Sequence, residues 1–113
     1  MTPWVPDRGD LIWLDFASFV GHEQGGRRPA LVVSPQGYNA KVGLALVCPI
    51  TSRGVRYPFE VALPPGSKVQ GVIQSDQIKS QDLKGRKARP AGRVPETVVS
   101  EVVARLGLLL IPA

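Results

Sequence analysis

Twelve glycines and eleven prolines are scattered through 113 residues, and they set the first limit on what this chain can fold into. Proline fixes φ and removes a backbone donor, and glycine interrupts regular structure, so most stretches between them are too short for long helices. The runs that remain are short and apolar, the pattern of a small β-rich fold. Strands are predicted over 11–16, 28–34, 43–51, 58–63 and 71–75, with a sixth, strongly basic, over 84–89. The unbroken apolar centre of the second strand predicts burial on both faces. In the fourth, Glu60 is expected to point outward. Residues 35–39 read as a turn or a single helical turn.

One segment reads as a true helix. Pro95 suits a first helical position, and Glu96 suits the positive end of the helix dipole. Val98, Val99, Val102, Val103, Leu106, Leu109 and Leu110 then recur at helical spacing as one wide apolar face. Valine is a poor helix former, so packing against the sheet has to stabilise this segment. No repeat, low-complexity tract or linker divides the chain, and the expectation is a single domain over 1–113. Its predicted architecture is a bent sheet or barrel with one C-terminal helix laid on it.

The balance of 14 Lys and Arg against 9 Asp and Glu leaves a net charge of +5. A basic surface favours a polyanion, nucleic acid first and an anionic membrane second. Cys48 is the single cysteine, which excludes an internal disulfide and fits a reducing cytoplasm. One histidine and one cysteine argue against a zinc site of the usual three or four N/S ligands. The opening residues lack a basic segment followed by an apolar run, so no secretory signal is expected. The apolar 106–111 segment is too short to span a bilayer.

The polar residues at strand ends suggest a site. His22, Glu23, Gln24 and Arg28 precede the second strand in a long connection, and long connections in compact domains are more often functional than idle. Thr51 and Ser52 follow the third strand; Asp76, Gln77, Lys79 and Ser80 follow the fifth. Converging on one rim, such residues suit phosphodiester chemistry. A base activates a hydroxyl, and an arginine holds the phosphate through two hydrogen bonds. In RNA the adjacent 2′-OH is a built-in nucleophile. Taken singly, each also has a structural use: Glu23 as a solvated loop acid, Arg28 as a strand-end ion-pair partner, Thr51 as a β-former, Asp76 as a turn cap. Lys79, Lys84, Arg86, Lys87, Arg89 and Arg93 form either a solvated edge that resists strand aggregation or a track for phosphates. The aromatics Trp4, Trp13, Phe16, Phe19, Tyr38 and Tyr57 are candidates for stacking on bases or for the core; most, Trp13 first among them, are assigned to the core.

Two motifs carry a resemblance. Gly9-Asp10-Leu11-Ile12-Trp13-Leu14-Asp15-Phe16 and Gly21-His22-Glu23-Gln24-Gly25-Gly26-Arg27-Arg28-Pro29 closely resemble the opening of the MazF/PemK (Kid) toxin family. Likeness continues through Arg56-Tyr57-Pro58-Phe59-Glu60-Val61, Ser75-Asp76-Gln77-Ile78-Lys79-Ser80 and Val94-Pro95-Glu96, in order across essentially the whole chain.

The resemblance implies a mainly β, SH3-like barrel of the MazF/PemK/CcdB type with a C-terminal α-helix, working as a homodimer in the bacterial cytoplasm. It implies a toxin that cuts single-stranded RNA, chiefly mRNA, at short sequences without cofactor or metal, leaving 2′,3′-cyclic phosphate and 5′-OH ends. A cognate MazE-like antitoxin with an acidic tail would neutralise it, and operator DNA would be met only through that antitoxin complex; no membrane is involved. By the same resemblance Glu23, Arg28 and Thr51 are catalytic. Arg28 would stabilise the phosphorane and Thr51 would bind the scissile phosphate. Glu23 is the preferred general base, with Asp76 and His22 as alternatives. RNA binding falls to His22, Gln24, Ser52, Asp76, Gln77, Lys79, Ser80, Lys84, Arg86 and Lys87. One branch of the family pairs its histidine and aspartate with an arginine at the position of Gln74, so here that arrangement is incomplete. The competing readings are a non-catalytic SH3-like nucleic-acid-binding module and a poison of DNA gyrase on a related barrel.

Overall fold

The computed structural model describes residues 4–16 and 26–112. Its elements in chain order are β1 (Asp10–Phe16), β2 (Gly26–Val32), α1 (Gln36–Val42), β3 (Leu44–Thr51), β4 (Glu60–Ala62), β5 (Val72–Gln74), a 3₁₀ turn (Ser75–Gln77), β6 (Lys79–Asp82), β7 (Arg89–Arg93) and α2 (Glu96–Leu110). The strands form one antiparallel sheet in the order β4-β5-β3-β2-β1-β7, with β6 also paired to β3.

Strand β3 is the hub. One side pairs with β2 through Ala30↔Pro49, Leu31↔Cys48 and Val32↔Val47. Its other side pairs first with β6, from Leu44↔Asp82 to Val47↔Lys79, and then with β5 through Ile50↔Ile73 and Thr51↔Val72. Sharing one long strand between two successive neighbours bends the sheet, as the barrel expectation requires.

Side chains alternate across a strand, so the two faces fill separately. Leu11, Leu31, Cys48, Ile50, Val61 and Ile73 pack on one face with Val99 and Val102 of α2. Ile12, Leu14, Ala30, Val32, Ala45 and Val47 pack on the other with Ala88. The apolar centre of β2 is therefore buried on both sides, as its sequence predicts. Trp13 is half-buried against the first cluster. Burial holds the Cys48 thiol in its neutral form, its pKa pushed up to about 12.

Four expectations change. The basic stretch over 84–89 is not a strand but mostly the turn between β6 and β7. Asp82 closes it, its Oδ1 accepting from Gly85 N at 3.0 Å and its carbonyl from Arg86 N at 2.9 Å, and Lys87 adopts a positive φ of 52°. Residues 35–39 open a two-turn helix, anchored by buried Asn39. Its Nδ2 donates to the Pro6 and Ser34 carbonyls at 2.9 and 3.1 Å, while its Oδ1 accepts from Ser34 Oγ at 2.5 Å. Pro95 caps α2 from outside rather than opening it. The apolar face of α2 is only partly covered. Val99, Val102 and Leu106 are buried, whereas Val103, Leu109 and Leu110 are exposed: Val103 flanks the buried stripe, and the last turn beyond Leu106 is uncovered. Among the described residues no helix is long and apolar enough to cross a membrane.

The end of β3 is fixed by a close approach. Gly71 has φ +124°, and a Cβ there would overlap the Thr51 carbonyl oxygen and lie 2.8 Å from its carbon. Backbone cannot yield as a flexible side chain can. Gly71→Ala is therefore expected to cost about 2 kcal/mol of stability, measured as a fall of roughly ten degrees in Tm.

Candidate functional site

Arg28 lies in β2 paired across to Leu14 of β1, and its side chain is exposed. The ion pairs among the described residues are Asp15–Arg27, Glu60–Arg53, Asp10–Arg93 and Glu101–Arg105, and Arg28 enters none of them. Thr51 closes β3 and is half-buried. Continuing the β2–β3 register two residues beyond Ala30↔Pro49 sets Arg28 opposite Thr51. Facing residues of an antiparallel pair leave the sheet on the same side. A guanidinium and a hydroxyl thus share one face at one end of the sheet, away from α2.

Beside them the same face carries a polar network. The Thr51 hydroxyl lies 3.2 Å from Gln74 Oε1, and Gln74 Nε2 lies 3.4 Å from Glu60 Oε2. Both oxygens of Glu60 are gripped by Arg53, through NH1 at 2.7 Å and through NH2, and Arg56 N donates to Oε1 at 2.8 Å. The Glu60 side chain is fully shielded from solvent. These contacts, led by Arg53, pull its carboxyl down to about 2 against the desolvation that would raise it, and Glu60 in turn raises the pKa of Arg53. Glu60 does lie on the face opposite Val61, as alternation predicts. The expectation that it points into solvent fails because the 52–57 loop folds over it. Alternation within three residues carries no sign of a loop closing above them.

A second contact ties this loop to the 3₁₀ turn. Tyr57 O–H donates to Asp76 Oδ1 at 2.8 Å, which raises the pKa of the phenol. Among the described residues no hydrogen bond or ion pair joins Asp76, Gln77 or Lys79 to Arg28 or Thr51. Ser52, Gln77, Lys79 and Ser80 are exposed. So are Lys84 and Lys87 of the turn between β6 and β7, where Arg86 is half-buried. Lys84, Lys87 and Arg89 rim a groove of about 660 Å³ beside Leu83 and the exposed Trp4. His22, Glu23 and Gln24 lie outside the described residues.

Residues 7–110 match the family described as PemK-like, MazF-like toxin of type II toxin–antitoxin system. The chain belongs to this toxin family. It is 43% identical to the endoribonuclease toxin MazF of Escherichia coli strain K12 over 110 residues, 97% of this chain and 98% of that protein. Against the endoribonuclease PemK of Escherichia coli it is 37% identical over 108 residues, 92% of this chain and 81% of the relative. Its fold superposes on a crystal structure of MazE–MazF from Deinococcus radiodurans with a TM-score of 0.93 at 49% identity, covering 98% of this chain and 100% of that one.

Sequence reasoning passes over Arg53 and gives Glu60 and Tyr57 other roles, an outward-pointing acid and a base-stacking ring, where the structure has all three organise the loop beside Thr51. Gln74 was noticed only as the place of an absent arginine. A charged residue inside a short apolar strand, followed back four to seven positions to two arginines, was the available signal for Glu60.

The Glu60 network has a pH signature. Its folded pKa of about 2 lies below the ordinary 4.5, so the stability it contributes is complete above about pH 4.5 and is lost as pH falls towards 2. Thermal melts across that window should show Tm dropping. Glu60→Gln, which cannot titrate, should start lower at neutral pH and fall less steeply. Parallel slopes for the two proteins would show that Glu60 titrates normally.

Proposed function

We propose that this chain is a sequence-specific, metal-independent endoribonuclease toxin that cuts single-stranded RNA, chiefly mRNA, and so arrests translation and growth. The endoribonuclease names of its relatives support the activity. The observation that supports the site is the β2–β3 register, which, continued two residues past Ala30↔Pro49, brings the exposed Arg28 level with Thr51.

In the proposed reaction the 2′-OH of one nucleotide attacks the adjacent phosphorus. The P–O5′ bond breaks and the leaving oxygen takes a proton, from Arg28 or from water, giving a 2′,3′-cyclic phosphate and a 5′-OH. A general base removes the 2′ proton, with Glu23 the preferred group and Asp76 or His22 the alternatives. Arg28 presents five N–H donors on a planar fork that matches phosphate oxygens. It holds the phosphate and stabilises the extra negative charge of the phosphorane. A long, exposed side chain with no ion pair among the described residues can follow the phosphate as its geometry changes. The exposed Lys79, Lys84 and Lys87, with Arg86, supply sequence-independent affinity for the flanking phosphates. Ser52, Gln77, Ser80, His22 and Gln24 are proposed to contact the RNA around the cut.

Relatives in MazE–MazF complexes support a cognate MazE-like antitoxin as partner. The exposed apolar Val103, Leu109 and Leu110 of α2 support association with a second copy, since contiguous apolar surface on a small protein marks an interface. A bacterial cytoplasmic setting, a single toxin domain over 1–113, and contact with operator DNA only through the antitoxin complete the proposal.

The test is to incubate the purified protein with single-stranded RNA in EDTA and analyse the product ends. Cleavage at a repeated short sequence with cyclic-phosphate ends is expected. Arg28→Ala should cut roughly a thousandfold more slowly at an unchanged Tm. Intact RNA across many sequences would favour a binding module without activity, and a near-normal rate for Arg28→Ala would make that arginine a surface residue only.

A further inference from the structure

We propose that Gln74 is a positioning residue that turns the Thr51 hydroxyl inward, so that Thr51 meets the RNA as a hydrogen-bond acceptor for the attacking 2′-OH and leaves the phosphate to Arg28. This rests on the ribonuclease reading of the same site.

The argument is one of donors and acceptors. Glu60 is held as a carboxylate with both oxygens occupied by Arg53, and a carboxylate only accepts. The edge of the Gln74 amide facing it, 3.4 Å from Oε2, is therefore the NH₂ edge. That leaves the amide carbonyl facing Thr51. Two oxygens 3.2 Å apart need one hydrogen between them, and the threonine hydroxyl holds the only one available. Thr51 must donate inward, and its lone pairs are left for an outside donor. A phosphate oxygen carries no hydrogen and gains nothing there, so this reading replaces the phosphate-binding role that the family resemblance implies for Thr51. The RNA 2′-OH does carry one, and it has to be aligned with phosphorus before its proton passes to the general base.

The order runs from the buried charge outwards: Arg53 fixes Glu60, Glu60 fixes the amide, and the amide fixes the hydroxyl. Each link lies on the sheet or on the loop closed over it. β5 holds Gln74 opposite Glu60 of β4, and Val72 opposite Thr51. The hydroxyl is thus oriented before substrate arrives, which is the condition for it to lower the barrier to attack rather than merely to assist binding. Gln74 itself touches no reacting atom.

The experiment is a double-mutant cycle on RNA cleavage with Gln74→Met, Thr51→Val and the pair. Gln74→Met in the wild-type background should lower kcat about tenfold with KM within about twofold, the loss of one oriented hydrogen bond at the transition state. In the Thr51→Val background it should have almost no further effect, because there is no hydroxyl left to orient. A purely structural glutamine would instead cost the same factor in both backgrounds, and that result, or a wild-type rate for Gln74→Met, overturns the proposal. Should the methionine variant fail to melt cooperatively, NMR of the unaltered protein carries the test. A Thr51 hydroxyl resonance with a cross-peak to the Gln74 side-chain amide is expected, and a hydroxyl in free exchange with water contradicts it. If the wild-type protein leaves RNA intact, the ribonuclease reading fails, and the cycle is not what failed.

Discussion

Moving a carboxylate out of water is costly unless its charge is matched and its oxygens are bonded, and Glu60 meets that demand with groups from two separate parts of the chain. Arg53 and the backbone of Arg56 come from the loop after β3, and Gln74 comes from β5. A loop whose arginine is committed to a buried carboxylate cannot swing freely, so the 52–57 segment closes over one face of β4 and β5. The same closure places Tyr57 where its hydroxyl reaches Asp76. The conformation around the end of β3 therefore follows from one buried charge rather than from loop propensity.

Strand β3 converts this local order into a site. Its last residue, Thr51, is pinned from one side by the close approach of Gly71 and from another by Gln74. Across the sheet, the β2–β3 register continued past Ala30↔Pro49 brings Arg28 to the same level and the same face. The two residues differ in kind. Thr51 sits on a pinned strand end and is half-buried, whereas Arg28 is exposed with a long side chain that forms no ion pair among the described residues. Such a pairing suits a reaction in which one group must be fixed in advance and another must follow a changing phosphate.

Much of this fold was legible from the order of residues. Short apolar runs between glycines and prolines locate five of the seven strands, and the valine- and leucine-rich periodicity locates α2. The failures have identifiable causes. Basic residues over 84–89 resemble a strand only by composition; Asp82 and Gly85 together specify a turn through a side-chain-to-backbone bond. β6 and β7 are short and polar, so alternation gives little signal there. The exposure of Leu109 and Leu110 could not be read from periodicity, which reports an apolar face but not what covers it. At the site, Arg28 and Thr51 stand out as polar strand-end residues and take their roles from family resemblance, while their juxtaposition depends on register that no single segment encodes. Gln74 had meaning only once Glu60 was seen to be buried.

The central claim is that RNA lies on the sheet face that carries Arg28 and Thr51, beside the Glu60 network. The most direct measurement is an NMR titration of the labelled protein with a single-stranded oligonucleotide made uncleavable by a 2′-deoxy sugar at the cutting position. The account predicts the largest shift changes at Arg28, Thr51 and Gln74, extending to Lys79 and the 83–87 turn. Changes confined to α2 or to the Trp4 groove, with Arg28 and Thr51 unmoved, would contradict it.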